Sequence, residues 1–265
     1  MMVWAAGVTC LAYLLGLFFR LFEKAFGKPM TWHGLLALGF GLFCHVISLL
    51  LTFQQAHAGG FFPRPLVLSA AAAALVTLCL GVELRLKDTF YSLLCLPLAI
   101  PLTGFSVFLG ATLEGPLYQG LWFYAHILLS VSGECCFFLA GFSGLMYLFV
   151  LNRLKQKNQL RAVRFFPPLT RLETLISVFA ALGFALFSFG LTAGGIWSVQ
   201  TVGHLRLFDT KRLLSLGVWC FFGLMVGGRT FLNWNGARTA VLAIVGFAAS
   251  IVLIVLGGTH AHWGP

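Results

Sequence analysis

The stretch "HILLSVSGECCFFLAGFSGLMYLFVL", His126 to Leu151, decides the fold class. Its apolar residues follow one another instead of alternating, so it does not have the pattern of a barrel strand. A bilayer's hydrocarbon core is roughly 30 Å thick and takes about 20 apolar helical residues to cross. Extended back to Leu121, the run has about 31 residues, or roughly 46 Å of helix, so it must tilt or reach beyond the membrane. In lipid a helix satisfies its own backbone hydrogen bonds, which an open sheet cannot do.

Seven further apolar runs flank it: Met2–Phe19, Leu35–Phe53, Leu66–Val82, Phe90–Phe108, Leu172–Val199, Leu213–Val226 and Ala240–Leu256. The seventh in chain order, Leu213–Val226, is the shortest and has several glycines nearby. Of the 265 residues 60% are hydrophobic and 9% charged, which excludes an ordinary soluble domain. No linker, low-complexity segment or internal repeat interrupts the runs. The expected fold is all-α: a polytopic protein of about eight transmembrane helices forming a single transmembrane domain over 1–265, four spans of it within 1–120.

Basic residues orient it. Thirteen of the 17 Lys and Arg fall in the odd-numbered loops: Arg20, Lys24, Lys28; Arg85, Lys87; Arg153, Lys155, Lys157, Arg161, Arg164, Arg171; Arg229, Arg238. The even loops hold only Arg64, Arg206, Lys211 and Arg212. The positive-inside rule then puts the odd loops in the cytoplasm and both termini outside. The first run has no basic stretch before it, and Arg20 follows it, the order of a retained helix and not of a cleaved signal peptide. The net charge of +10 is expected to be a cytoplasmic collar against anionic headgroups, not a nucleic-acid surface. The expected location is the cytoplasmic (inner) membrane, crossed several times.

That orientation makes "TVGHLRLFDTKR", Thr201 to Arg212, unusual: three of the four outer basic residues sit in this one outer loop. Headgroup binding explains them poorly; an anionic ligand explains them better. Five of the seven histidines lie at or beyond the same face: His57, His126, His204, His260 and His262. A neutral imidazole ligates heme iron well, and two facing histidines would clamp it. His33 lies in the first cytoplasmic loop. Two ionisable residues fall inside spans, where they are costly and face protein or a cavity. They are His45 in "FCHVISLL" and Glu134, eight residues and so about 80° around the helix from His126. Glu134 reads either as a protonated group bonded to a neighbouring helix or as a proton or ligand contact. The cysteines Cys10, Cys44, Cys79, Cys95, Cys135, Cys136 and Cys220 all lie in apolar runs without a CxxC spacing, and read as small hydrophobes. Pro97 and Pro101 interrupt the fourth span; broken helices occur at transporter sites. Gly141 and Gly144 suit close helix packing.

From about Leu121 onward the chain resembles the cytochrome c assembly family, the polytopic heme-handling proteins of the CcsA, CcmC and HemX type. The matching pieces occur in order. A histidine opens the long helix "HILLSVSGECCFFLAGFSGLMYLFVLNRLK"; "PPLTRLETL" and "GLTAGGIWSV" follow; then come "VGHLRLFDTKR", "LLSLGVW", "NWNGARTAVLAIVGFA" and "GGTHAH". In that family the outer loop is a tryptophan-rich heme platform, approximately WGxxWxWDxK. Gly203, Asp209 and Lys211 match it, whereas Val202, Arg206 and Phe208 stand where the tryptophans would be. The loss of the aromatic shelf implies a divergent, HemX-type member, and argues against heme–cytochrome ligase activity and for a non-enzymatic role.

The resemblance implies heme as the bound group, with His126 and His260 as axial ligands and His262 as the alternative to His260. Arg206, Lys211 and Arg212 would meet the propionates, and Trp197, His204, Phe208 and Asp209 would complete the contact surface. It implies a membrane protein of cytochrome c biogenesis that binds or presents heme at the extracytoplasmic face, with other maturation proteins as partners. A HemX-like accessory of heme biosynthesis stays open, contacting an upstream enzyme through the basic loop "NRLKQKNQLRAVRFFPP". A small-molecule or ion transporter, with His45, Glu134 and the fourth helix lining its path, is the reading from a different class.

Overall fold

The structure is a computed structural model describing residues 2–26, 31–59, 61–63, 66–87, 89–110, 114–116, 120–156, 166–203 and 210–259. Each apolar run is a helix: α1 Met2–Phe26, α2 Thr31–Gly59, α3 Leu66–Leu86, α4 Phe90–Gly110, α5 Leu121–Lys155, α6 Leu169–Val202, α7 Thr210–Leu232 and α8 Ala237–Thr259. All eight are long and apolar enough to cross a membrane. The chain is an all-α, multi-pass membrane protein. Its only departure from helix among the described elements is a three-residue antiparallel pair, β1 Phe61–Pro63 with β2 Glu114–Pro116. Most helices outrun the apolar segments that announce them, because backbone hydrogen bonding continues where side chains turn polar. The shortest run becomes a full 23-residue helix in α7. Helix α4 passes through Pro97 and Pro101 without a break.

The chain divides into two compact units, Met1–Gln119 and Gly120–Pro265. In the first, α1 packs on α2 and α4, and α3 on α4 and α2. Tyr13, Leu38, Ala72, Val76, Leu96 and Ala99 form its buried core. At one end of that core lies Arg20, whose guanidinium is wholly buried. It pairs with Glu83 of α3 and, at 3.3 Å, with Glu23; Ser92 of α4 donates to the other Glu83 oxygen. Gly34 of α2 lies flat against it, a position where a Cβ would stand 2.7 Å from Arg20 Cζ. One cation thus ties all four helices. Arg20 is therefore no part of the headgroup collar to which its charge assigned it.

The second unit is an antiparallel bundle, as its facing residues show. Along α5 and α6, Gly133 meets Phe187 and Phe137 meets Gly183; along α5 and α8, Gly141 meets Phe247 and Gly144 meets Ala240. Helix α7 packs on α6 and α8, with Phe222 stacked on Phe137 at 3.6 Å between ring centres. Tertiary packing without a hydrophobic driving force needs such small residues, because they let backbones approach. At the end of the bundle where α6 starts, Glu173 accepts from Arg229 at 3.1 Å and from the Gly236 N–H at 2.9 Å. It pins the α7–α8 connection, where Asn233 and Gly236 adopt positive φ of 51° and 62°. Arg229, like Arg20, is engaged in the protein rather than simply facing headgroups.

Two outcomes test this packing. Glu83→Gln leaves the buried Arg20 undercompensated and should cost about 3–5 kcal/mol, read as a lowered thermal midpoint in detergent; exposed Arg85→Gln should leave the midpoint in place. Gly144→Ala puts a methyl 2.6 Å from the Ala240 carbonyl oxygen, a backbone atom that cannot swing away, and should cost about 1–3 kcal/mol. Gly81→Ala, which meets nothing within 4 Å, should unfold at an unchanged temperature.

Candidate functional site

Because the second unit is antiparallel, the start of α5, the end of α6, the start of α7 and the end of α8 gather at one end. That end carries His126 on the second turn of α5, Trp197 near the end of α6, and Lys211 and Arg212 on the first turn of α7. His204, Arg206, Phe208 and Asp209, and also His260 and His262, lie outside the described residues, as part of the α6–α7 connection and beyond α8.

His126 is held from α6. Its Nδ1 stands 2.8 Å from the Gly190 carbonyl oxygen, with Ser130 Oγ more remote at 3.4 Å. A carbonyl oxygen can only accept, so Nδ1 carries the proton and donates it. In a neutral ring the lone pair then belongs to Nε2. Metal-binding histidines are commonly oriented in this way, through a hydrogen bond from the second ring nitrogen to a carbonyl. The contact depends on missing side chains. A Cβ on Gly194 would stand 2.6 Å from His126 Nδ1, so the imidazole lies against bare backbone. Gly183, Gly190 and Gly194 are seven and four residues apart, which places them on one side of α6.

One turn further toward this end, Trp197 meets Phe123 of α5, with ring centres 5.1 Å apart. The indole is thus a wall of the α5–α6 seam beside His126. Helix α6 ends on Gly203, whose φ of 79° and N–H donating to Val199 O at 3.0 Å make a left-handed cap. This is a conformation that side chains resist, which gives the glycine of the platform pattern a structural cause. On α7, Arg212 Nη1 is shielded from solvent and has no hydrogen-bond partner among the described residues. A guanidinium so placed at a helix start suits a carboxylate.

The two intramembrane polar candidates differ. His45, in the first unit, is fully buried. Tyr13 Oη lies 3.0 Å from its Nδ1 and Ser69 Oγ 2.8 Å from its Nε2. Both ring nitrogens are engaged, and the ring ties α1, α2 and α3. Glu134, in the second unit, has both carboxyl oxygens shielded and without a hydrogen bond among the described residues.

Several residues here were not singled out in the sequence. Gly190, Gly194 and Ser130 were readable only as helix-packing or polar positions, although the glycine spacing on α6 is a visible signal. Tyr13 and Ser69 carry no signal of pairing with His45. The structure also joins Cys79 of α3 to Cys95 of α4 as a disulfide, so the small-hydrophobe reading fails for these two. Their spacing of 16 residues across a helical turnaround matches no motif. Cys10, Cys44, Cys135, Cys136 and Cys220 remain thiols.

Residues 60–259 match the model of a family described as cytochrome C assembly protein. Individual relatives agree. A "Cytochrome c biogenesis protein CcsA" from Guillardia theta is 24% identical over 91% of this chain and 85% of its own length. A protein of the same name from Chlorella vulgaris is 24% identical over 83% of this chain and 81% of its own. One from Gloeobacter violaceus is 35% identical over a shorter stretch, 34% of this chain and 28% of its own. With its eight helices and a family match that spans most of its length, the chain belongs to the cytochrome C assembly protein family.

Proposed function

We propose that this chain holds heme as cargo at the α5-start end of its second unit, for cytochrome c maturation outside the cytoplasm. The observation that carries the reading is the His126–Gly190 hydrogen bond, which sets the imidazole in the tautomer whose Nε2 can ligate iron. The residues present suit the group. Trp197 and Phe123 supply a ring-lined wall, and Arg212 offers a shielded guanidinium nitrogen to a propionate. Lys211 precedes Arg212 on the first turn of α7, Arg206, His204, Phe208 and Asp209 belong to the α6–α7 connection, and His260 or His262, directly after α8, would supply the second axial nitrogen.

The charge bias supports the side: with the basic loops inside, the site opens outward in the cytoplasmic membrane. Heme brings the iron and the vinyl groups that a cytochrome c must receive; the protein's own residues bind and orient it. With tryptophans absent from the α6–α7 connection, orientation falls to the ligating imidazole and the cations rather than to a stacked shelf. That arrangement suits a protein that presents heme to other maturation proteins without forming its bonds to the cytochrome.

Purified protein titrated with hemin should show a six-coordinate, bis-histidine visible spectrum. His126→Ala should weaken hemin binding at least tenfold, about 1.4 kcal/mol; a bis-histidine spectrum surviving in His126→Ala/His260→Ala would contradict the ligand assignment. Gly194→Ala, which pushes the imidazole off its backing, should weaken binding by about tenfold in the same titration without moving the thermal midpoint of the heme-free protein as far as Gly144→Ala does. Absence of hemin uptake by the unmodified protein would overturn the heme reading and favour a regulatory or transport role.

A further inference from the structure

We propose that Glu134 is a proton-binding site that sets the redox preference of heme held at His126, a regulation that rests on the heme reading above. The carboxyl sits two turns below His126 on α5, with Ser130 between them at intervals of four residues. Each interval turns the helix by only about 40°, so the three form a polar line down one side. Glu134 therefore lies along the same helix as the proposed ligand, about 12 Å from it.

Among the described residues its surroundings contain no charge to match it. Both carboxyl oxygens are shielded and make no hydrogen bond among the described residues. From α8, Ser250 stands near the carboxyl, but its hydroxyl donates to Phe247 O at 3.0 Å. On α6 the ionisable residues are Arg171 and Glu173, on the first turn; on α8 the described one is Arg238, also on the first turn. Counting along the facing helices, both groups lie roughly 18–20 Å away. On α5 itself the neighbours are the Cys135 and Cys136 thiols, which are neutral as thiols, and Tyr147, Arg153 and Lys155 lie toward the far end. An isolated carboxylate in such a place is too costly to persist, so the resting group is the neutral acid.

It can ionise when a positive charge arrives nearby. Ferric iron in a doubly deprotonated porphyrin core leaves that core one positive charge; ferrous iron leaves none. Oxidation passes one electron from iron to an external one-electron acceptor, the mediator and electrode in a titration, and the proton leaving Glu134 goes to solvent, so the net charge of the pair is unchanged. With about 12 Å of helix between the two residues and an effective dielectric of about 20, a unit charge changes the ferric-to-ferrous ratio by at most about tenfold. For a one-electron couple that is about 59 mV. The sign follows: ionised Glu134 favours ferric heme, so the midpoint potential falls as pH rises through the ionisation.

Two measurements on the full-length protein in detergent test this. In the heme-free protein, infrared difference spectra between the unmodified chain and Glu134→Gln should show a protonated carboxylic acid at neutral pH, sensitive to deuterium exchange and lost in the variant. A carboxylate band in its place would overturn the proposal. With hemin loaded, potentiometric titrations should coincide for the two proteins at low pH and separate as pH rises. The unmodified chain should become lower by up to about 59 mV, while Glu134→Gln stays flatter. Parallel pH profiles would overturn the linkage. If neither protein takes up hemin, the heme reading falls and the linkage with it, whereas the infrared band still reports the state of the carboxyl.

Discussion

The second unit depends on how closely α5 and α6 approach. Inside a bilayer no solvent drives helices together, so a seam must be made by packing, and here glycine makes it from both sides: Gly133 on α5 and Gly183, Gly190 and Gly194 on α6. The same approach brings the Gly190 carbonyl within 2.8 Å of His126. A backbone oxygen already used in the helix thereby accepts a second bond, from a side chain 64 residues earlier. Larger residues at these positions would hold the helices apart and release the ring. Packing and the orientation of His126 are one constraint in this seam.

Each unit manages its buried polar groups differently. In the first, they are matched: Arg20 with Glu83 and Glu23, and His45 with Tyr13 and Ser69. Matched groups tie helices together and give the four-helix core a unique register. In the second, Glu173 and Arg229 are matched at one end, but Arg212 Nη1 and the Glu134 carboxyl make no hydrogen bond among the described residues. Both occur in the unit whose end carries His126.

Much of the fold was legible because hydropathy reports the free energy of moving side chains into lipid, and eight runs report it clearly. The helix ends were not, since backbone hydrogen bonding runs past the last apolar residue; α7 grew from a short run to Thr210–Leu232. Of the site, His126 stood out as a histidine at a helix start, and the order of the family's motifs pointed to it. Its partner did not, because register between helices is set by contacts far apart in the chain. The same reason hid Tyr13 and Ser69 behind His45, Glu83 behind Arg20, and the Cys79–Cys95 pair. Arg20 and Arg229 show the limit of counting charges: a basic residue near a membrane end reads as a headgroup contact until a carboxylate from another helix is seen beside it.

The central proposal is that a glycine-lined seam holds His126 in the tautomer whose Nε2 can ligate heme iron. It is tested most directly by an experimental structure of the hemin-loaded protein in a lipid nanodisc. The account predicts iron bonded to His126 Nε2 while Nδ1 still donates to the Gly190 carbonyl, with Arg212 against a propionate. Heme seated elsewhere, or iron on His126 with the Gly190 hydrogen bond broken, would contradict it.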